Sequence, residues 1–397
     1  MQATSTPPNP NGENLILTSP VKVLHIISGD LWAGAEVQAY TLLTSLPQEF
    51  ELLVILMNHG ELEQRLITAG IKTQVIDERS TTSIKIIREL MTCIRHFSPH
   101  IIHTHRQKEN ILGTIANLLS QWPKSKRIRS LRTVHGAPEH SATGLKQLII
   151  KLDQACGNYG QDAIISVSDD LTQKLQGQFK AERIYTIHNG INVQQLAQVK
   201  PASDIREGAE KTLHLGIIGR LEAVKRADIF LQTAAYLIQQ APEQKFHFHV
   251  IGDGKLRAQL EELSNQLGLE TAVRFHGHRT DSQAAIAAMD FVIMCSDHEG
   301  TPMTALETLA LGKPLIAHKI GGLAEILQHY PELLVSRHSP EGYGQCLLSL
   351  LNTPSQPNLP RHYTSEHNAT LTSRLYCEIG NLQVTQGMTQ IEMDNVR

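Results

Sequence analysis

From residue 21 the chain alternates short β-branched runs with longer amphipathic stretches. The runs are VKVLHIIS (21–28), ELLVILM (51–57), TQVI (73–76), HIIHTH (100–105), RSLRTVH (129–135), AIISVS (163–168) and RIYTIH (183–188). Between them, SIKIIRELMTCIRHF and NILGTIANLLSQW carry apolar residues at helical spacing. Near-continuous apolar strands separated by helices predict a parallel sheet covered on both faces. The polar stretch VQQLAQVKPASDIREGAEKT breaks the rhythm. It resumes with LHLGIIG (213–219), FHFHVIG (246–252), VRFHG (273–277), FVIMC (291–295), PLIAH (314–318) and ELLV (332–335). The pattern therefore predicts an α/β chain with two doubly wound parallel-sheet (Rossmann-like) domains, 21–195 and 212–362, joined by a linker at 196–211. A polar tail at 1–20 and the last residues, 386–397, have too little to bury and are expected to be mobile or frayed. In open parallel sheets ligands bind beyond the carboxyl ends of the strands. The chemistry is thus expected in strand-end loops facing one another across a cleft.

Composition narrows the function. At 397 residues, 41% apolar and 19% charged, the chain is not disordered, collagenous or a coiled coil. With 36 basic against 39 acidic side chains it lacks the positive excess of a dedicated nucleic-acid binder. The five cysteines are dispersed and never form CxxC, which fits a reduced, cytoplasmic setting. No run approaches the roughly 20 apolar residues of a membrane helix, and the N-terminus has no secretory leader pattern.

Two common nucleotide signatures are missing. Neither GxxxxGK[ST] nor GxGxxG occurs, and GDG at 252–254 reads as a turn. The most informative stretch is 290–325, DFVIMCSDHEGTPMTALETLALGKPLIAHKIGGLAEIL. Thr301 and Pro302 read as an N-cap with proline at the first helical position. Glu307 then falls in the second turn and Glu299 on the loop just ahead, so both carboxylates are placed to reach one ligand. A single Glu there would equally read as a helix-dipole contribution. Gly321 and Gly322 open a further helix, whose backbone N–H groups suit an anion as well as a tight turn. Upstream, GIIGRLEAVKR puts Arg220 directly after a strand and Lys225 five residues later, a pair suited to neutralising a diphosphate.

Arg220 and Lys225, the string Glu299-x7-Glu307 and IGGLAE closely resemble the retaining GT-B glycosyltransferases of family 4 (group 1). WAGAE (32–36), IIHTHRQKENILG (101–113), TVHG (133–136), ISVSDDLTQKL (165–175) and IHNGINV (187–193) follow the same family order. The resemblance implies a metal-independent transferase moving a sugar from a nucleoside-diphosphate sugar to a glycan or lipid-linked glycan acceptor, as in polysaccharide or lipopolysaccharide biosynthesis, with no cofactor. Arg220 and Lys225 are then the diphosphate grip, and Glu307 accepts ribose hydroxyls. Glu299 faces the donor sugar, and the backbone around Met303, Thr304, Gly322 and Leu323 meets phosphates and sugar. Gly34 resembles the glycine loop that closes over the diphosphate, and His135 the histidine that contacts the donor sugar. A terminal helix at 363–385 is expected to cross back to the first domain. Ala33 replaces the first glycine of the family loop, His188 stands where proline is common, and Arg226 where glycine is common. No DxD occurs, and Asp297-x-Glu299 is its nearest relative; since Arg220 and Lys225 already supply positive charge, no metal is expected.

His103 and His105 lie on one face of a strand end and with His135 sketch a metal site, but hydrogen-bonded cleft residues are the preferred reading. His105, Arg106 and Lys108 are candidates for acceptor contact. Lys124, Lys126, Arg127, Arg129 and Arg132 gather in one segment, WPKSKRIRSLR. They suit either a solvated turn or peripheral contact with the inner face of an anionic membrane. Two other functions fit the same fold: a nucleotide-sugar epimerase, and a nucleotide-sugar-binding subunit without turnover.

Overall fold

The structure, a computed structural model, describes residues 20–121, 127–136, 144–206 and 212–382. Each predicted run forms a strand. In the first sheet these are β1 (Val21–Ile27), β2 (Phe50–Leu56), β3 (Lys72–Val75), β4 (Ile101–Thr104), β5 (Arg129–Val134), β6 (Ala163–Ser166) and β7 (Ile184–Thr186). Their order is β3-β2-β1-β4-β5-β6-β7, and every pairing is parallel. The second sheet has β8 (Leu213–Ile218), β9 (Phe246–Ile251), β10 (Val273–Gly277), β11 (Phe291–Met294), β12 (Leu315–His318) and β13 (Leu334–Val335). They run in the order β10-β9-β8-β11-β12-β13, again all parallel. Both sheets are doubly wound. The strand order reverses between β1 and β4 in one and between β8 and β11 in the other, the points where such sheets open a crevice.

Amphipathic helices close the faces. In the helix Ser83–Phe97, Ile86, Leu90, Ile94 and Phe97 bury against Leu24, Ile26, Leu53 and Ile55 of the sheet. Each such side chain contributes about 1.5–3 kcal/mol by leaving water. Thr82 caps this helix by accepting from the N–H of Lys85, and Ser98 ends it in the left-handed region at φ 51°.

The chain divides into two compact units. One contains the described residues up to Val167, Thr172–Ile187 and the chain from Ala369; the other contains Ser168–Leu171 and His188–Asn368. The helix Ser365–Gly380 supplies Leu371, Leu375 and Tyr376 to the same core as Val21, Val23 and Ile101.

The expected linker differs from what is observed. Leu196 and Ile205 are buried, the N–H of Ala202 donates to the carbonyl of Ala284 at 2.9 Å, and Arg206 donates to the carbonyl of Ala288 at 3.1 Å. The described part of 196–211 is therefore a packed segment of the second unit, whose main stretch runs His188–Asn368. Its few apolar anchors are too irregularly spaced to show as a periodic face. Residues 207–211, 1–19 and 383–397 lie outside the described residues, and with them the expected tails at 1–20, save Pro20, and 386–397.

Candidate functional site

In the second unit the candidate residues gather at the carboxyl ends of β8 and β11. After β8 the backbone turns sharply through Gly219. A β-carbon on Gly252, in GDG, would come within 1.8 Å of the Gly219 carbonyl, so the two strand-end loops touch backbone to backbone. This fixes the start of Arg220 and of the 3-10 turn Ala223–Lys225. The Lys225 ammonium donates to Glu299 Oε1 at 2.6 Å, and the Ser296 hydroxyl donates to the same oxygen at 2.6 Å. Lys225 is 24% and Glu299 11% exposed, so water screens this ion pair only partly. Arg220 is exposed and makes no side-chain hydrogen bond or ion pair among the described residues. Arg220, Lys225 and Ser296 line a recess together with Ile217, Met294 and Cys295.

The loop carrying Glu299 is held from three sides. Asn189, in IHNG, donates its amide to the carbonyl of Thr301 at 2.8 Å, and His318 Nδ1 meets the carbonyl of Ser296 at 2.9 Å. The third contact is IGG itself. A β-carbon on Gly322 would sit 1.7 Å from the Gly300 carbonyl, and the Gly322 N–H donates to the carbonyl of Glu299 at 3.2 Å. This corrects the expectation of an anion cradle at Gly322 and Leu323. The Gly322 N–H is taken by Glu299 and that of Leu323 by Ile320, so the glycines serve close packing. Glu325 of the same motif accepts from the backbone N–H groups of Asp169 and Asp170 at 3.1 and 2.8 Å.

The helix expected from Pro302 begins at Met303, with Pro302 as the N-cap. The N–H groups of Met303 and Thr304 open it, without intrahelical acceptors. Glu307 lies buried on this helix and accepts from the Gln283 amide at 3.0 Å. Burial raises its carboxyl to a pKa of about 7, against the pull of that hydrogen bond. Asp297 does not converge with Glu299. It pairs with Arg226 at 3.2 Å and His338 at 3.1 Å.

In the first unit, His103, His105 and His135 come together and are joined by His25 of β1 and Tyr376. His25 Nδ1 lies 3.2 Å from His105 Nε2, and His105 Nδ1 lies 3.3 Å from His135 Nε2. His103 bridges Tyr376 Oη at 2.7 Å and Thr133 Oγ1 at 2.8 Å, and Tyr376 Oη lies 3.3 Å from His25 Nε2. Burial drives the pKa of His25 to about 3 and of His135 to about 4, and those of His103 and His105 well down, so all four rings are neutral near pH 7. His105 is buried with both ring nitrogens engaged, which removes it as an acceptor contact. Arg106 pairs with Asp30 at 3.1 Å and with the fully buried Glu36 of WAGAE, while Lys108 pairs with Glu78. Each charge thus has an acidic partner in the first unit, with the Lys108 side chain still 53% exposed. Gly34 opens the helix Gly34–Ser45 with free space where a β-carbon would stand, and Ala33 before it has ordinary extended backbone at φ −137°. The methyl that replaces the family glycine is unstrained there.

The basic segment also changes. Arg127 grips both oxygens of Asp162 at 2.6 and 3.0 Å, and Arg129 joins them at 2.8 Å. Arg132 is buried, 2.6 Å from Asp153 and over the ring of Phe179. These three arginines are structural pairs, not a free cationic surface, and Lys124 and Lys126 lie outside the described residues. Among the described residues no helix is long and apolar enough to cross a membrane.

Sequence reasoning missed His25, Tyr376, Ser296, Asn189 and Gln283. Two carried a signal: Asn189 lies in the motif IHNGINV, and His25 is a polar residue inside the apolar run VKVLHIIS.

Comparison with known proteins agrees with this arrangement. Residues 212–353 match the family described as glycosyl transferases group 1, and residues 32–195 the one described as glycosyltransferase family 4. A D-inositol 3-phosphate glycosyltransferase of Corynebacterium urealyticum is 32% identical over 200 residues, 44% of this chain and 47% of that protein. The UDP-Gal:alpha-D-GlcNAc-diphosphoundecaprenol alpha-1,3-galactosyltransferase of Escherichia coli is 24% identical over 320 residues, 77% of this chain and 81% of its own. The chain spans between 47% and 65% of the length of the first curated relatives it matches. Among solved structures, Anabaena HepE in complex with UDP-glucose has a TM-score of 0.71 at 20% identity, over 91% of this chain and 97% of its own, a likeness of fold. With family matches in both units and two doubly wound parallel sheets, the chain belongs to the GT-B glycosyltransferases of group 1, family 4.

Proposed function

We propose that this protein is a retaining, metal-independent glycosyltransferase that moves a sugar from a nucleoside-diphosphate sugar to a glycan or lipid-linked glycan. The observation that carries this reading is the Lys225–Glu299 pair beside an exposed, unpaired Arg220 at the crevice of the second sheet. Cleavage of the sugar–phosphate bond puts negative charge on the departing diphosphate. Fixed cations facing that charge lower the barrier by several kcal/mol. Glu299 holds the Lys225 ammonium in place before any ligand arrives, so little reorganisation remains to be done. Arg220 is free to add a bidentate grip on phosphate oxygens. Glu299 is the electron-rich group available to an oxocarbenium-like centre, and Glu307 the acceptor for ribose hydroxyls. The roles expected of Met303 and Thr304 backbone N–H groups, Gly34 and His135 belong to the same proposal. UDP-sugars are the first donors to try, since HepE was crystallised with UDP-glucose and the E. coli relative is named for UDP-Gal.

The test is release of nucleoside diphosphate from a panel of UDP-, GDP- and ADP-sugars by the purified chain, with and without EDTA. One donor should turn over slowly, insensitive to EDTA, and both Arg220→Ala and Glu299→Ala should abolish it. Neither binding nor turnover across the panel would overturn the assignment. Interconversion of the nucleotide sugar without an acceptor would replace it with epimerisation.

A further inference from the structure

We propose that the outer face of the helix Leu145–Ala155, with the π-helical turn Cys156–Gly160 that continues it, is a docking surface for an anionic lipid bilayer. The face lies wholly in the first unit. It calls on none of Arg127, Arg129 and Arg132 as lipid contacts, since these are paired. The contact is independent of the proposed donor chemistry, because it needs nothing from the second unit.

The helix packs inside out. A surface helix ordinarily turns its apolar stripe to the core and its charges to water. Here the buried side chain is Asp153, which accepts from the Asn110 amide and from the Arg132 guanidinium, each at 2.6 Å. The turn that follows is held by close approach of its backbone: a β-carbon on Gly157 would come within 2.5 Å of the Phe179 ring. The apolar side chains point the other way. Leu148 and Leu152, four residues apart and so on one face, are 62% and 44% exposed, with Ile149 and Ala155 exposed beside them. Tyr159, on the continuing turn, is 79% exposed. Elsewhere among the described residues large apolar side chains are exposed singly or, at Leu118 and Leu119, as a neighbouring pair. Single exposed apolar residues are ordinary, whereas a contiguous stripe marks a contact.

Charge selects the occupant. Between Gly144 and Gly160 the charged residues are Lys146, Lys151 and Asp153, and Asp153 is engaged by Arg132. Lys146 and Lys151 are exposed and have no acidic partner among the described residues. Lys180, also exposed, places its ammonium 6.0 Å from the centre of the Tyr159 ring. The face therefore offers lysines alone. Two copies of the chain meeting there would set lysines against lysines, with no carboxylate on the helix to relieve them. An anionic bilayer satisfies both parts of the face: the aliphatic side chains enter the acyl boundary while the lysines reach the lipid phosphates. Tyr159, apolar in its ring and polar at its hydroxyl, suits the headgroup level between them.

The experiment is flotation of the full chain with vesicles of phosphatidylcholine, with and without phosphatidylglycerol, beside sedimentation equilibrium of the chain alone. Wild type should float with the anionic vesicles and not with pure phosphatidylcholine, and added salt should weaken the binding. Lys146→Gln combined with Lys151→Gln should weaken it roughly 10- to 30-fold. Leu148→Ser combined with Leu152→Ser, which leaves the charge unchanged, should weaken it by about 10-fold or more. All four side chains are exposed, so circular dichroism and the thermal midpoint should stay native in both variants. Ile67→Ser, an exposed apolar residue on a different helix, should leave flotation as it is. Tyr159→Trp should add a fluorescence that shifts to the blue on anionic vesicles. A chain that does not float with anionic vesicles, or whose flotation neither double variant weakens, would overturn the proposal. So would a dimer in sedimentation that Leu148→Ser with Leu152→Ser dissolves, since a second copy would then cover the face. Flotation as described by a chain that turns over no donor would support the surface and count only against the functional reading.

Discussion

Replacing Glu307 with Gln separates what this carboxyl does for binding from what it costs the fold. Burial raises its pKa from the ordinary 4.5 to about 7. The unfolded chain therefore releases this proton at lower pH than the folded one. The sign follows: Glu307 imposes no penalty below about pH 4, and stability falls as pH rises through the interval between the two pKa values. The full penalty applies above about pH 7. Linkage over this shift gives about 1 kcal/mol near pH 5 and about 3 kcal/mol near pH 8. Glu307→Gln keeps the size and a hydrogen bond to Gln283 but cannot ionise. Urea unfolding followed by tryptophan fluorescence at both pH values should show the variant gaining about 2–3 kcal/mol on wild type between them. Glu109, buried and also raised to about 7, ionises alike in both proteins and cancels from the difference. Binding should move the other way. In the proposed function two ribose hydroxyls donate to Glu307; that contact would favour its charged form, so nucleotide affinity in wild type should rise with pH through about 7 and release a proton. Gln should lose about 10- to 100-fold in affinity, the worth of charge-assisted bonds. Isothermal titration in buffers of different ionisation enthalpy reads both effects. A variant whose pH dependence of unfolding matches wild type would refute the argument, whatever its affinity.

Lys225→Met should lower turnover about 10²–10³-fold at saturating donor, since it removes a cation at the leaving diphosphate and leaves Glu299 without its partner; steady-state kinetics decides it. Gly322→Ala forces a β-carbon against the Gly300 carbonyl, so the Glu299 loop must move, and both thermal midpoint and nucleotide binding should fall. Gly34→Ala, with open space at that site, should leave the midpoint within about 2 °C of wild type, so any loss of donor affinity there reports on ligand contact alone. Arg106→Ala should destabilise the first unit by about 3–5 kcal/mol in denaturant unfolding, because it strands the buried carboxylate of Glu36.

The Arg106 case shows where sequence reading ends. Strands were legible because buried parallel strands are apolar on both faces, so runs such as ELLVILM need no partner to be recognised. The Glu299 and Glu307 helix start was legible within one residue, because Pro302 constrains the backbone locally. Charge is different, since its meaning depends on which opposite charge lies nearby. Arg106, Arg127, Arg129 and Arg132 all read as available cations. Their partners Glu36, Asp162 and Asp153 lie 70, 35 or 33, and 21 residues away, distances set only by strand order. The histidine cluster was hidden for the same reason. His25 faces His103 only through the β1–β4 register, and Tyr376 arrives from a helix 351 residues beyond His25.

Arg226 carries the point furthest. The family's common glycine suggests a position needing left-handed backbone, and Arg226 does adopt φ 49° there. What compensates an arginine for that conformation is its grip on Asp228 at 2.9 Å and Asp297 at 3.2 Å. Asp297 is thereby drawn away from Glu299 and into holding the loop. Replacing Arg226 with Gly should therefore relieve the backbone yet loosen the Asp297 end of the loop. Nucleotide affinity should fall even if the thermal midpoint rises, and a binding isotherm beside a melting curve separates the two. Unchanged affinity would mean that Asn189, His318 and Gly322 hold the Glu299 loop without help from Asp297.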